Sequence, residues 1–291
     1  MKITEFYFKN QKKLTIIPLI LIILSVIILT NSYIQTGDIM KKDVTLTGGA
    51  TATIYTDKDT SNLIPELEKR FNTDFVFRKL TDFGSDKQKG FSIEGKVDSM
   101  EFKNAISEIM GLELTSENSS FEETGSSLGS SFYKQMIIAI LFAFLFMGIV
   151  VFITFRNPIA SLIVLFSGVF DMLVNLAIIN LLGIRVSTAG ISALLLIIGY
   201  GIDTDILLTT KVFKRREGSI NERTLASIKT GLTMTATTMV ALLFGYFLSS
   251  SFVIKEMFLI IMIGLIIDVI GTYSVNSYLI NWYTRKKFKD E

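Results

Sequence analysis

The 291-residue chain contains no cysteine and no histidine, and it has only three prolines and one tryptophan. Without cysteine there is no disulfide and no thiol nucleophile, and without histidine there is no Ser/His relay and no imidazole for a transition metal. Any chemistry falls to carboxylates, hydroxyls, lysine and arginine; no cofactor and no metal are expected. Bulk charge is nearly absent too, since 29 basic and 27 acidic residues leave a net charge of +2, and that balance implies no nucleic-acid partner. What the chain has in excess is apolar surface. Hydrophobic residues make up 49% and the mean hydropathy is +0.49, values of a protein whose solvent is a lipid bilayer.

Six apolar runs are long enough to cross a hydrocarbon core of roughly 30 Å as helices: Leu14–Thr30, Gln135–Phe155, Ile159–Leu182, Ser187–Thr210, Lys229–Leu248 and Glu256–Tyr283. The first follows Lys2, Lys9, Lys12 and Lys13. It is longer than a typical signal-peptide core and no small-residue cleavage site follows, so it reads as an uncleaved signal anchor. Basic residues mark one side of the bilayer: the N-terminal lysines, Arg156, the group Lys211, Lys214, Arg215, Arg216 and Arg223, and the tail Arg285, Lys286, Lys287 and Lys289. The turns on the other side carry only Arg185 and Lys255. Positive residues stay inside, so both termini are expected in the cytoplasm of a multi-pass protein of the cell membrane. The chain then divides into a cytoplasmic N-terminus with the first span (1–31), an extracytoplasmic domain with its tether (32–131), a five-helix membrane region (132–284) and a basic cytoplasmic tail (285–291).

The outer region has mixed charge and periodic apolar residues, as a folded domain does. Val44–Tyr55 alternates like a strand around Gly48-Gly49, and Thr60–Phe71 reads as a helix with Pro65 early in it. Asn72-Thr73-Asp74 is a turn, followed by strand-like runs at Phe75–Leu80 and Gly90–Gly95. Asp98 and Glu101 have capping-box spacing and open a helix to Met110. A last strand is expected near Phe121, giving the order β-α-β-β-α-β of a small ferredoxin-like α+β domain. Glu122–Ser131 is rich in Gly and Ser and reads as a tether. Asn118-Ser119-Ser120 fits the N-glycosylation sequon.

Ionisable residues inside a span are costly and invite a functional reading. Asp171, Asp203, Asp205 and Asp268 qualify, and no lysine or arginine lies at comparable depth. Each must stay neutral, meet a partner from another subunit, or face water. Residues three and four apart share a helix face, which makes four polar stripes: Ser167, Asp171 and Asn175; Asp205 and Thr209; Gly264, Asp268, Thr272 and Asn276; and Thr230, Thr233 and Thr237. The acids are the candidates for ion coupling, and Asn175, Thr209, Thr237, Thr272 and Asn276 are expected to complete one polar seam. The plainer reading makes these groups structural glue between helices, and for the threonines it is the preferred one. Asp203 and Asp205 are about 200° apart on a regular helix, so they share a groove only if the helix is distorted, which Gly199 and Gly201 would permit.

The run Leu196-Ile-Ile-Gly-Tyr-Gly-Ile-Asp203-Thr-Asp205-Ile-Leu-Leu-Thr-Thr-Lys211 closely resembles the fourth span of the archaeal-type SecF family of protein-export membrane proteins. Arg156-Asn157-Pro158, Asp171, Gly271-Thr-Tyr-Ser274 and Leu46-Thr-Gly-Gly49 resemble the same family. The resemblance implies a six-helix half of a resistance-nodulation-division assembly, paired with the six-span SecD. It also implies association with the Sec translocon and use of the proton-motive force to help draw exported unfolded polypeptides outward. One departure stands out: bacterial members carry Asn-Asp-Thr and then Asp-Arg in this span, where this chain has Asp203-Thr204-Asp205 and Thr210-Lys211. A proton path through that Asp–Arg pair does not carry over. Two other classes compete with an export subunit: a half-transporter of the same superfamily moving lipids or small hydrophobic molecules, and a passive membrane scaffold. No catalytic constellation appears on either face, so an enzyme is not expected.

Overall fold

The computed structural model describes residues 2–58, 60–81, 88–215, 217–249 and 251–287. Arg216 and Lys289, two of the basic residues that mark the cytoplasmic side, lie outside the described residues. The chain forms two compact units.

The smaller unit covers 42–137 and 186–188. It starts later than the sequence suggests because the first membrane helix persists to Thr36, where Gly37 in the left-handed region (φ 75°) caps it. Val44–Thr47 is a single helical turn, α3, rather than part of a strand; the Asp43 carboxylate accepts from the Val44 amide and starts it. Strand β1 follows at Gly49–Ile54, then helix α4 (Leu63–Phe71), β2 (Val76–Thr81), β3 (Gln88–Gly95), helix α5 (Ser99–Met110) and β4 (Ser119–Thr124). The four strands are antiparallel in the order β2-β3-β1-β4. Asp98 caps α5 by accepting from the Met100 and Glu101 amides at 2.9 and 3.1 Å. The core is built from Ala50, Ala52, Ile54, Leu67, Phe91, Ile93, Phe102 and Ile106, with Phe75 stacked on Phe102. The Asn118 amide is committed to the turn before β4: it donates to the Glu113 carbonyl and accepts from the Thr115 amide. A glycan on this nitrogen would have to displace that bond.

The expected tether is not there. Only Gly125 separates β4 from helix α6 (Ser126–Phe155). The small residues serve close packing instead of flexibility, because a Cβ on Gly129 would stand 2.9–3.0 Å from the backbone of Leu46 and Gly48, and one on Gly48 would collide with Ser126.

The larger unit covers 1–41, 138–185 and 189–291. Helix α1 (Lys2–Leu14) leads into α2 (Ile16–Thr36), and α7 (Pro158–Leu181), α8 (Thr188–Thr209) and α9 (Ile220–Leu248) follow α6. Among the described residues, five helical stretches are long and apolar enough to cross a membrane: Thr4–Thr36, Ser126–Phe155, Pro158–Leu181, Thr188–Lys214 and Ile220–Leu248. The last apolar run is divided into α10 (Phe252–Gly271), a π turn (Thr272–Asn276) and α11 (Ser277–Lys287), and Lys255, Glu256 and Asp268 interrupt its apolar character. A second π turn, Thr210–Lys214, ends α8. Helix α7 packs against α2 and α10. Its start is set by Asn157, whose side chain accepts from the Ile159 and Ala160 amides, with Pro158 at the first helical position. Helix α9 opens with a complete capping box between Ser219 and Glu222.

Candidate functional site

Three carboxyl groups from three helices converge inside the larger unit. Asp171 on α7, Asp205 on α8 and Asp268 on α10 are each only 1% exposed. Gly201 on α8 leaves room for two of them: a Cβ there would lie 2.8 Å from an Asp171 oxygen and 3.3 Å from an Asp268 oxygen. Glycine at this position is therefore a requirement of space, since any side chain would push the acids apart. Gly264 performs the same service for Asn175, whose amide nitrogen would be 2.9 Å from an added Cβ.

The π turn supplies the polar contacts. The Thr272 hydroxyl lies 3.0 Å from an oxygen of Asp205 and 3.0 Å from an oxygen of Asp268, and the Asn276 amide donates to the same Asp205 oxygen. A hydroxyl has one proton to give, so Thr272 donates to one carboxylate while it accepts from the other only if that one carries a proton. Both Asp171 oxygens, and the second oxygen of Asp205 and of Asp268, are sealed from solvent with no hydrogen-bond partner among the described residues. Charge held at all three acids would be prohibitively expensive in such surroundings. The cluster is built to hold fewer charges than it has carboxyls.

The structure thus brings together Asp171, Asp205, Asp268, Asn175, Thr272 and Asn276, and Thr209 is buried on the same helix as Asp205. Two residues expected with them are elsewhere. Asp203 is exposed on the outward face of α8 beside Gly199 and Tyr200, as the two-residue spacing on an undistorted helix demands; the helix departs from α geometry only later, at Thr210–Lys214. Thr237 does not join the seam. It lies exposed on α9 and its hydroxyl binds the Thr233 and Met234 carbonyls of its own helix.

Tyr273 is not among the residues that the sequence singles out, although it sits inside one of the motifs. Its hydroxyl is buried without a partner among the described residues, and Gly231 on α9 makes room for it, since a Cβ there would overlap the phenol oxygen. An aromatic flanked by Thr272 and Ser274 was the available signal, and the glycine opposite it is visible only in the structure. No group of three or more acidic side chains among the described residues has the arrangement of a metal site.

Residues 105–286 match the family model described as protein export membrane protein SecD/SecF, C-terminal. The chain is 31% identical over 279 residues to the protein-export membrane protein SecF of Pyrococcus furiosus, covering 96% of this chain and 93% of that one. It is 33% identical over 289 residues to the SecF of Methanocaldococcus jannaschii, covering 94% and 96%. Among solved structures it resembles SecDF, a translocon-associated membrane protein from Thermus thermophilus, with a TM-score of 0.69 and 17% identity over 98% of this chain. It also resembles SecDF in its super-membrane-facing form, with a TM-score of 0.63, 19% identity and the same 98% coverage of this chain. This chain spans 38% and 39% of those two solved chains.

Proposed function

The chain belongs to the SecD/SecF family of protein-export membrane proteins, and from that premise we propose that it is an accessory subunit of the Sec export machinery, coupling ion flow to the movement of exported polypeptides. The observation that carries the reading is the convergence of Asp171, Asp205 and Asp268 in one bundle, with Thr272 between two of them. Carboxyls that cannot all be charged share a limited number of protons among them, and a hydroxyl touching two of them accepts a proton from the protonated one as it donates its own to the other. The proton-motive force is the supply such a relay would draw on.

The reading includes the architecture around the site. Phe252–Lys287, broken only by its π turn, acts as the sixth span; both termini lie in the cytoplasm, and the small unit lies outside. The strand order β2-β3-β1-β4 with two helices supports a ferredoxin-like domain. A SecD-like six-span partner accounts for Asp203: a carboxyl facing lipid costs roughly 3 kcal/mol, and a partner helix over the Gly199, Tyr200 and Asp203 face removes that cost.

Export of a secreted reporter tests the mechanism. Asp205→Asn keeps size and hydrogen bonding but not titration, and is expected to slow export about tenfold, a change of roughly 1.4 kcal/mol in the barrier, with membrane abundance unchanged. Asp171→Asn and Asp268→Asn are expected to do the same. Wild-type export in all three would remove the acids from the mechanism. Reporters fused at Glu117, at Gly218 and after Lys287 test the topology, with only the first expected outside.

A further inference from the structure

The acid cluster is tied to the N-terminus of the chain through the π turn. Such a turn widens the helix, so a carbonyl loses the amide four residues on, and inside a packed bundle a carbonyl left bare is costly. In span six the Tyr273 carbonyl finds a donor outside its own helix. The hydroxyl of Tyr7 on α1, 266 positions earlier, donates to it at 2.6 Å. Tyr7 also lies 2.9 Å from the Ser277 hydroxyl, to which Gln11 of the same helix donates at 2.8 Å. At the end of span four, the Arg223 guanidinium likewise donates at 2.8 Å to the Val212 carbonyl, one of the last carbonyls of that helix.

On one side of the span-six turn stands Tyr7, and on the other Thr272 and Asn276 reach Asp205. We propose that α1 positions the acid cluster: Tyr7, by occupying the Tyr273 carbonyl, keeps the π turn open, and the open turn keeps Thr272 and Asn276 on Asp205. Without the Tyr7 hydroxyl the nearest repair for the bare carbonyl is an ordinary α-helical bond. Closing the turn to α geometry removes one residue's worth of slack and rotates the rest of the helix by roughly 100°, which carries Asn276 away from Asp205. Tyr7 touches no reacting atom; it is a positioning residue. The inference deepens the proposed coupling site and rests on that reading only for its bearing on export.

The test reads Asp205 directly. Dicyclohexylcarbodiimide reacts with protonated carboxyls in apolar surroundings, so the purified full chain in detergent is treated with it and the modified fraction of the peptides holding Asp171, Asp205 and Asp268 is measured by mass spectrometry. Expressed per mole of peptide, the result does not depend on yield. Tyr7→Phe keeps the ring and removes the donor. Loss of hydrogen bonds to a carboxylate favours its protonated form, so labelling of Asp205 should rise about threefold or more at fixed pH while Asp171 stays at its wild-type level. Ser277→Ala removes the neighbouring contact and leaves the Tyr273 carbonyl occupied, so Asp205 should label as in wild type. Unchanged Asp205 labelling in Tyr7→Phe overturns the proposal. So does an equal rise in both variants, or a rise at all three acids, because either means general loosening. If instead all three Asn variants export normally while Tyr7→Phe alters labelling as expected, the positioning role stands and the coupling reading alone is lost.

Discussion

The two units of this protein differ less in the apolar groups they bury than in the acids one of them gathers inside and the apolar surface it leaves outside. In the smaller one Leu67, Phe91, Ile93, Phe102 and Ile106 are inside, while Lys69, Arg70, Glu101 and Glu122 face outward. In the larger one the fully buried groups include Asp171, Asn175, Asp205, Asp268, Thr272 and Asn276, while Ile20, Ile153, Leu162, Phe244 and Leu248 are exposed. Water expels apolar surface and so builds the first core. Lipid tails are as apolar as leucine and expel nothing of the kind, so helices associate through polar contacts and close packing at small residues. A leucine therefore stabilises the first unit by leaving water, whereas in the second it counts only through the packing it makes, and one that faces outward counts hardly at all. The same substitution can serve as a ruler for both.

Phe102→Ala is the largest expected effect. Phe102 is fully buried and packs against Phe71, Phe75 and Phe121. Removing it should cost about 3–5 kcal/mol, enough to lower the melting temperature of a domain this size by roughly 15 °C or more. Residues 36–124 expressed alone should show a cooperative thermal transition in which that drop is read. Leu162→Ala on the lipid-facing side of α7 is the counterpart, at 62% exposure. In the full chain it should change stability by less than about 0.5 kcal/mol. Comparable losses for the two would break the comparison, as would a fragment that melts without cooperativity.

Thr272→Val sharpens the other half. Its hydroxyl serves Asp205 and Asp268 together, and an isosteric methyl leaves both acids short of a partner. The cost of stranding a buried polar group is about 1–3 kcal/mol, read as a lower melting temperature of the purified full chain in detergent. Near-wild-type stability would mean that the hydroxyl is incidental to the packing of the three helices.

How much of this was visible in the sequence differs between the units for the same physical reason. In the outer unit the alternation of β1, the turn at Asn72 and the Asp98 cap are local signals, and each element lies within a few residues of its expected place. The misreadings there, a strand at Val44–Thr47 and a tether at Glu122–Ser131, came from glycines and serines whose smallness answers to distant neighbours. Gly129 is small because Leu46 and Gly48 lie against it, and no local pattern records that. In the membrane unit, helix periodicity aligned Asp171 with Asn175 and Asp268 with Thr272, whereas Asn276 reaches Asp205 across a π turn that α-helical spacing does not describe. Periodicity could not say which stripes face one another. The threonines of α9 have the same spacing as the residues of the acid cluster, yet they point outward. The π turns were also out of reach, since Thr272–Asn276 is distinguished by its partners and not by its composition.

Those outward threonines supply the smallest and most discriminating test. Thr237 is exposed, and its hydroxyl binds the Met234 and Thr233 carbonyls at 2.8 and 3.1 Å. Both carbonyls belong to the same helix, so Thr237→Ala strands no buried group and opens no cavity. Threonine bonded back to its own helix contributes little or slightly destabilises, and in the isolated chain the substitution should change stability by less than about 0.5 kcal/mol. A loss well above that would return Thr237 to the polar seam and contradict its placement. Repeated in the complex with a six-span partner, the same substitution becomes a probe of what covers α9: an interhelical hydrogen bond in a membrane is worth roughly 0.6 kcal/mol. A loss of that size seen only in the complex would put the partner on the Thr230, Thr233 and Thr237 face; no loss in either setting would leave that face to lipid.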